Sequence, residues 1–236
     1  MAANAIEIVE IERAEIVLEP WQWPFAVERH AAIARHFVAL QQKHSGVWNG
    51  RVLLMHRFAI GEGRLHGACF ETDYASFCAW RDWDFPDPAV ANVFAAAALR
   101  SVDGAWLLGE MGSSTANGGR IYFPCGTPEP ADIAADGTLD LAGSVRREFA
   151  EETGIDISEL KAVSGWSVVI DRCYVALIKR LTSPLNADEL FARVKRFLEG
   201  ERQPELSAIR MARNHADLDA RMPNFIVAFL EREWRQ

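Results

Sequence analysis

The segment from Leu141 to Ile155 constrains the fold of this chain more than any other. Its apolar residues Leu141, Val145 and Phe149 are spaced four apart, which predicts an amphipathic helix with one face against a hydrophobic core. Gly154 predicts the end of that helix, because glycine adopts the left-handed C-cap conformation without a steric penalty. Any fold of this chain must therefore pack this helix on a core.

Three glutamates share one side of the predicted helix. At about 100° per residue, Glu148, Glu151 and Glu152 fall on one arc, and that arc overlaps the apolar stripe. Like charges three and four residues apart destabilise a helix by about 0.2–0.5 kcal/mol per pair, and partial burial adds a desolvation cost. A Mg²⁺ ion would remove both penalties because it takes hard oxygen ligands. The alternative interpretation is a glutamate-rich face in contact with water.

The string REFAEETGI, residues 147–155, resembles the centre of the Nudix box. This box is the signature of hydrolases that cleave nucleoside diphosphates linked to another group. A predicted strand from Ile121 to Pro124, then Gly126 and a loop, precede the helix, in agreement with the resemblance. The resemblance implies an α/β fold, the αβα sandwich of Nudix proteins with a mixed sheet, and Mg²⁺-dependent hydrolysis of a pyrophosphate bond.

The upstream half of the box departs from the family pattern. The leading glycine of the box lies fourteen residues before its arginine, whereas Gly126 lies twenty-one residues before Arg147, which implies about seven inserted loop residues. The first glutamate of the box lies eight residues before the arginine, where this chain has Leu139. The neighbouring Asp140 is the predicted substitute.

The resemblance also implies roles for individual residues. The predicted metal ligands, for Mg²⁺ or Mn²⁺, are Glu148, Glu151 and Glu152. Arg147 would orient one of these carboxylates, and the carbonyl near Cys125 and Gly126 is a further candidate ligand. Family members commonly add a glutamate from outside the box as ligand or base, and Glu205 is our candidate for it. The alternative for Glu205 is a surface glutamate beside a proline.

The implied substrate is a small nucleoside diphosphate derivative. Residues 48–51 and 73–77 weakly resemble the N-terminal region of Nudix proteins that act on UDP-sugars, so a nucleotide sugar is one candidate. The alternative function is a nucleotide-sensing regulator, since some Nudix-like proteins bind ligand without turnover and DNA through a C-terminal helical module. Residues 185–236 contain nine Lys or Arg and nine Asp or Glu, which disfavours DNA binding.

The chain is predicted to contain an α+β N-terminal extension, residues 1–88, and a Nudix hydrolase domain, residues 89–236. The boundary is placed at the segment DFPDP, residues 84–88, because its two prolines stop helices and strands alike. Within the extension we expect a helix from Phe25 to about Gln42, a hairpin over residues 51–71, and a short helix capped by Asp73. Aromatic residues spaced three apart along this last helix, from Tyr74 to Trp83, predict core packing.

Composition excludes several classes of partner. The net charge is −8 and there is no long basic run, so the chain is not expected to bind a nucleic acid polymer. The four cysteines form no Cys-x-x-Cys pair, which predicts reduced thiols rather than a zinc site or disulfides. The N-terminal segment carries acids where a signal peptide is apolar, and no apolar run is long enough for a bilayer. These features predict a cytoplasmic protein that does not bind membranes.

Overall fold

A computed structural model describes residues 5–44 and 46–235 of the chain. The strands are β1 (Glu7–Ile11), β2 (Arg13–Leu18), β3 (Arg51–Gly61), β4 (Arg64–Asp73), β5 (Asn92–Arg100), β6 (Trp106–Met111), β7 (Ile121–Tyr122), β8 (Cys125–Gly126), β9 (Lys161–Ala162), β10 (Trp166–Asp171), β11 (Tyr174–Thr182) and β12 (Leu206–Ala212). The helices are α1 (Pro24–Glu28), α2 (His30–Lys43), α3 (Tyr74–Asp82), α4 (Leu141–Thr153), α5 (Ala187–Gly200) and α6 (Asn224–Trp234).

A large mixed sheet forms the centre of the molecule. Its strand order is β1-β10-β11-β5-β6-β12, and short strands β7, β8 and β9 pair with β6, β5 and β11. Among the strand pairs of this sheet within the described residues, β11–β5 is parallel and the others are antiparallel. Helix α4 packs against β5 and β8, α5 against β12, and α6 against β10. The mixed-sheet α/β class predicted from the sequence is confirmed.

A second, three-stranded sheet has the order β2-β4-β3. Its own core contains the aromatic residues of α3, and Trp80 is completely buried there, as the three-residue spacing predicted. Asp73 accepts a hydrogen bond from the amide of Ser76 at 2.8 Å and caps α3, which was also predicted. The predicted helix from Phe25 to Gln42 is instead two helices, because the chain turns at Arg29 (φ −101°, ψ 5°).

The two sheets are joined through the N-terminal segment. Strand β1 pairs with β10 in the large sheet, with Glu7 opposite Ile170, while the next strand, β2, belongs to the small sheet. The division at residue 88 stays a prediction, but one strand from before it lies in the large sheet. Met55 of β3 also exchanges two backbone hydrogen bonds of 2.8 Å with Ala91, just ahead of β5. The two units therefore share backbone pairing as well as packed side chains.

Among the described residues, no helix is long and apolar enough to span a bilayer.

Candidate active site

Helix α4, which packs against β5 and β8, carries the three glutamates. It begins after Asp140, whose carboxylate accepts a hydrogen bond from the amide of Gly143 at 2.9 Å. It ends at Gly154, whose φ of 67° is left-handed, so the predicted C-cap is confirmed. Val145 and Phe149 anchor the apolar face in the core. This orientation follows from the four-residue spacing and brings the overlapping glutamate arc against β8.

Glu152 is the most deeply buried of the three glutamates. Its side chain is only 3% exposed, and neither carboxylate oxygen has a hydrogen-bond partner among the described residues. Burial raises the pKa of this carboxyl well above its usual range, and the negative charges of Glu148 and Glu205 raise it further, while the backbone amide of Cys125 opposes the rise. An ionised carboxylate at this position therefore needs a cation that the protein itself does not supply.

Glu148 lies one turn earlier and packs over β8. Burial raises the pKa of its carboxyl to about 7, and the charges of Glu151 and Glu205 add to the rise, while Arg147 opposes it. A Cβ atom added to Gly126 would collide with the Glu148 carboxylate. Glycine at position 126 thus leaves the space that the Glu148 carboxylate occupies.

Arg147 holds Glu148 in place. Its guanidinium donates to Glu148 Oε1 at 2.7 Å and to both oxygens of Asp132 at 2.9 and 3.2 Å. Asp132 is 7% exposed, so this ion pair lies largely out of water. The guanidinium therefore connects the helix to the segment before it.

Asp132, and not Asp140, is the acid that contacts Arg147, which corrects the sequence-based assignment. Asp140 is occupied as the helix cap. Asp132 lies six residues after Gly126, which is the interval between the glycine and the first glutamate of the box pattern. The inserted residues therefore lie between Asp132 and Arg147. Counting eight residues back from Arg147 does not cross the insertion, so it led to Leu139 and its neighbour Asp140 instead of Asp132.

The insertion forms a small hairpin that contacts the N-terminal sheet. Ala134 and Thr138 close its turn with a 2.8 Å backbone hydrogen bond. Thr138 forms an isolated bridge with Val17 of β2, and the amide of Leu139 donates to the carbonyl of Ile16 at 2.8 Å. The hairpin therefore ties the segment that carries Asp132 to the small sheet.

The two remaining candidate ligands are more exposed. Glu151 has a side chain that is 62% exposed and lies 3.7 Å from Arg147. Glu205 precedes β12, and its charge acts on the carboxyls of both Glu148 and Glu152 although it is distant from them in sequence. The charge of Glu205 therefore acts to raise the pKa of both box glutamates, and its role as a ligand or base stays a prediction.

The arrangement fits a divalent cation in the chemistry of its donors. All four acids offer hard oxygen ligands, and Glu152 carries two buried oxygens without a donor. Across residues 5–44 and 46–235, however, no three His, Cys, Asp or Glu side chains already stand in a ligand cluster. A cation bound here would therefore be held first by Glu152 and Glu148, with Glu151 or Glu205 turning inward.

A cavity of about 570 Å³ adjoins the glutamates at Gly126. Its walls come from α3, the loop before β7, the starts of β5 and β11, and the start of α6. The loop over residues 113–119 contributes Ala116, Asn117 and Gly118 to the wall. No short motif marks the residues of this cavity, so sequence reasoning missed them.

The chain is similar to several solved structures at low sequence identity. No family model matches the chain, and no curated protein matches it. Among solved structures, it is similar to the Nudix hydrolase RenU from M. smegmatis (16% identity, 61% of this chain, 82% of that chain, TM-score 0.36). It is also similar to the MutT protein from Methanosarcina mazei Go1, with 18% identity over 61% of this chain and 94% of that chain and a TM-score of 0.39. For a Nudix hydrolase from Nitrosomonas europaea, the identity is 16% over 61% of this chain and 89% of that chain, and the TM-score is 0.38. TM-scores below 0.5 leave the chemistry of this chain to be argued from its own site.

Proposed function

We propose that the protein is a Mg²⁺-dependent pyrophosphohydrolase of the Nudix type that cleaves a nucleoside diphosphate derivative. The observation that carries the proposal is the buried Glu152 carboxylate, whose oxygens satisfy no hydrogen bond within residues 5–44 and 46–235 and whose pKa is raised by the charges of nearby acids. Burying an unpaired carboxylate is costly, and proteins retain such groups where a metal or a proton is handled. The REFAEETGI string around this carboxylate supports the pyrophosphatase class.

The residues of α4 divide the work between binding and orientation. Glu152 and Glu148 would hold the cation, with Glu151 or Glu205 completing the ligand set. When bound, Mg²⁺ or Mn²⁺ would neutralise charge on the diphosphate and make a nearby water more acidic. Arg147 fixes the Glu148 carboxylate through its 2.7 Å contact, and Asp132 fixes Arg147 in turn. This order of contacts supports a positioning role for Arg147 and Asp132.

Proton transfer is assigned to a carboxylate of the cluster. The attacking water forms the new bond to one phosphorus, the bond from that phosphorus to the bridging oxygen breaks, and the water proton passes to Glu148 or Glu205. The products would be a nucleoside monophosphate and a phosphorylated remainder.

The direct test is a substrate panel with and without Mg²⁺. Nucleoside diphosphate sugars, dinucleotides, dinucleoside polyphosphates and coenzyme A are incubated with the protein, and the products are separated by chromatography. We expect a nucleoside monophosphate, or its analogue, from one class and no cleavage in EDTA. Tight nucleotide binding without cleavage of any member, with Mg²⁺ or Mn²⁺, would instead favour the nucleotide-sensing regulator. Retention of DNA on a gel at low salt would support that alternative further.

A further inference from the structure

The cavity beside Gly126 contains a buried amide without a partner. Asn92, the first residue of β5, is 5% exposed and lines the cavity, and its Oδ1 has no hydrogen-bond partner among the described residues. The backbone of Asn92 is held by a 2.7 Å hydrogen bond to the carbonyl of Cys173 and by its register with Tyr174. A fixed, buried acceptor of this kind is satisfied by a ligand that donates an N–H or O–H group.

Aromatic rings make up much of the surrounding wall. Phe85 and Tyr174 are 5.3 Å apart between ring centroids, and Phe225 lies 5.5 Å from Phe94 and 6.1 Å from Tyr174. All four rings line the cavity. Aromatic rings beside a buried amide are typical of sites that bind a flat heterocycle by stacking and by hydrogen bonds to its edge.

The cavity also has a cation that is not neutralised by the protein. Arg81 is paired with Asp82 and Asn117, and Arg172 is paired with Asp84. Arg120 lines the same cavity, and within the described ranges no carboxylate lies at ion-pairing distance from it. Asp171 is the remaining acid in the wall. The Arg120 guanidinium is therefore available to an anionic group such as a phosphate.

The spacing along β5 between Asn92 and the position paired with Gly126 is comparable to the length of one nucleotide. Gly126, which packs under Glu148, lies in register with Ala95 of β5, and Asn92 is three residues earlier on the same strand. At about 3.3 Å per residue, Asn92 lies about 10 Å along β5 from Ala95, the residue paired with Gly126. That distance is comparable to the reach from a diphosphate to the base of the same nucleotide.

We propose that this cavity binds the nucleobase of the substrate, with Asn92 hydrogen-bonding to the edge of the base and Arg120 pairing with a phosphate. The proposal deepens the proposed function and rests on it for the position of the diphosphate. Phe85 lies just beyond α3, so the N-terminal region contributes to substrate choice. A site that hydrogen-bonds a base rejects bases that lack the matching group, because its buried amide is then left unpaired.

The test is calorimetric binding to the full chain in EDTA, which excludes turnover. The probes are the 5′-monophosphates of adenosine, guanosine, cytidine and uridine, together with glucose 1-phosphate. We expect one nucleotide to bind at least tenfold more tightly than glucose 1-phosphate, and Asn92→Leu to remove at least tenfold of that affinity. Arg35→Gln, an exposed arginine on α2, should bind as wild type. Binding by none of the nucleotides, preference for the sugar phosphate, or an unaffected Asn92→Leu variant would overturn the proposal.

A second variant keeps the test decisive if Asn92→Leu fails to fold. Arg120 is exposed, so Arg120→Gln should fold, weaken the preferred nucleotide at least fivefold and leave the matching free nucleoside unchanged. Equal nucleotide affinity in Arg120→Gln and wild type would contradict the proposal.

The Glu152→Gln variant separates this inference from the proposed function. Lost cleavage with retained nucleotide binding supports both. Unchanged cleavage together with Asn92-dependent binding rejects only the assigned reaction site. If Glu152→Gln abolishes cleavage but neither it nor wild type binds any of the nucleotides in EDTA, only the nucleobase cavity is rejected.

Discussion

The carboxylate cluster and the adjoining cavity are built in different ways. Three of the acids come from a single helix, within five consecutive residues, and the neighbouring Arg147 contacts two of them, Glu148 and Glu151. The cavity instead draws on five separate segments, from α3 to α6. A local cluster can be disabled by one substitution without affecting the rest of the molecule, whereas the cavity depends on how the two sheets are joined. The comparison suggests that the reaction and the choice of substrate can be altered separately.

The largest expected effect is on turnover, from Glu152→Gln. The amide keeps the shape of the side chain but removes the charge that would bind the cation, so kcat should fall by a factor of about 10²–10⁴. Steady-state kinetics on the substrate found by the panel measures this change, with Glu199→Gln on the exposed face of α5 as the control. Turnover like wild type in Glu152→Gln would remove this residue from the ligand set.

Gly126→Ala tests the contact between the two regions. The three atoms nearest to the added Cβ all belong to the carboxylate end of the flexible Glu148 side chain, so we expect the protein to fold with this carboxylate displaced. A displaced catalytic group costs on the order of 10²-fold in activity, while nucleotide binding in the cavity should change little. Gly200→Ala is the matched control, because its Cβ would meet nothing within 4 Å. Equal activity in both variants would show that Glu148 does not act from this position.

Asp132→Asn tests the support of the cluster. Loss of the charge that holds Arg147 should lower kcat about 10–100-fold, as for other groups that orient a metal ligand, with a smaller change in KM. Asp140→Asn is the control, because asparagine also caps helices well. If Asp140→Asn proved the more damaging of the two, the assignment drawn from the sequence would be restored.

Thermal unfolding with Mg²⁺ distinguishes a cation site from a solvated acidic face. A ligand that binds only the folded state at a hundredfold excess over its Kd stabilises it by about 2.7 kcal/mol, and each kcal/mol raises Tm by roughly 2–4 °C at this size. Wild type should gain several degrees in millimolar Mg²⁺, and Glu152→Gln should gain much less. If Mg²⁺ shifts the Tm of wild type and of Glu152→Gln equally at matched ionic strength, the glutamates form a solvated acidic face and not a cation site.

The smallest expected effect is a pH dependence of stability in EDTA. The pKa of Glu152 is raised in the folded protein relative to 4.5, and that of Glu148 is raised to about 7. The folded state therefore binds protons more tightly than the unfolded state, and the resulting stability is present below about pH 4.5 and is lost as pH rises toward and beyond 7. Wild type should lose more Tm than Glu152→Gln between about pH 5 and pH 7. A steeper loss in the variant would contradict the assigned burial.

The parts predicted from the sequence are those set by neighbouring residues. The four-residue apolar spacing and Gly154 place α4 correctly, and Asp73 caps α3 as expected. Asp132 was missed because an insertion separates it from Arg147, although its six-residue distance from Gly126 carried the signal. Counting forward from Gly126 finds Asp132, whereas counting back from Arg147 across the insertion does not.

The cavity and the sheet pairings depend on contacts between distant residues. Nothing near Asn92 in the sequence indicates a binding residue, since its surroundings come from α6, β11 and the loop before β7. The pairing of β1 with β10 likewise follows from which edge of the large sheet is free once the chain has folded. Local spacing holds no information about that edge, so a division at residue 88 was the natural prediction.

The pairing of β1 with β10 has a consequence for synthesis on the ribosome. Glu7 faces Ile170, so β1 must wait for 163 further residues before its partner exists. At about 5–20 residues per second this delay is on the order of ten to thirty seconds. An unpaired strand is prone to join another chain, and charged residues on it reduce that tendency. Glu7 and Glu10 fit this need, and nascent chains that carry Glu7→Val should aggregate more readily than those with the native sequence.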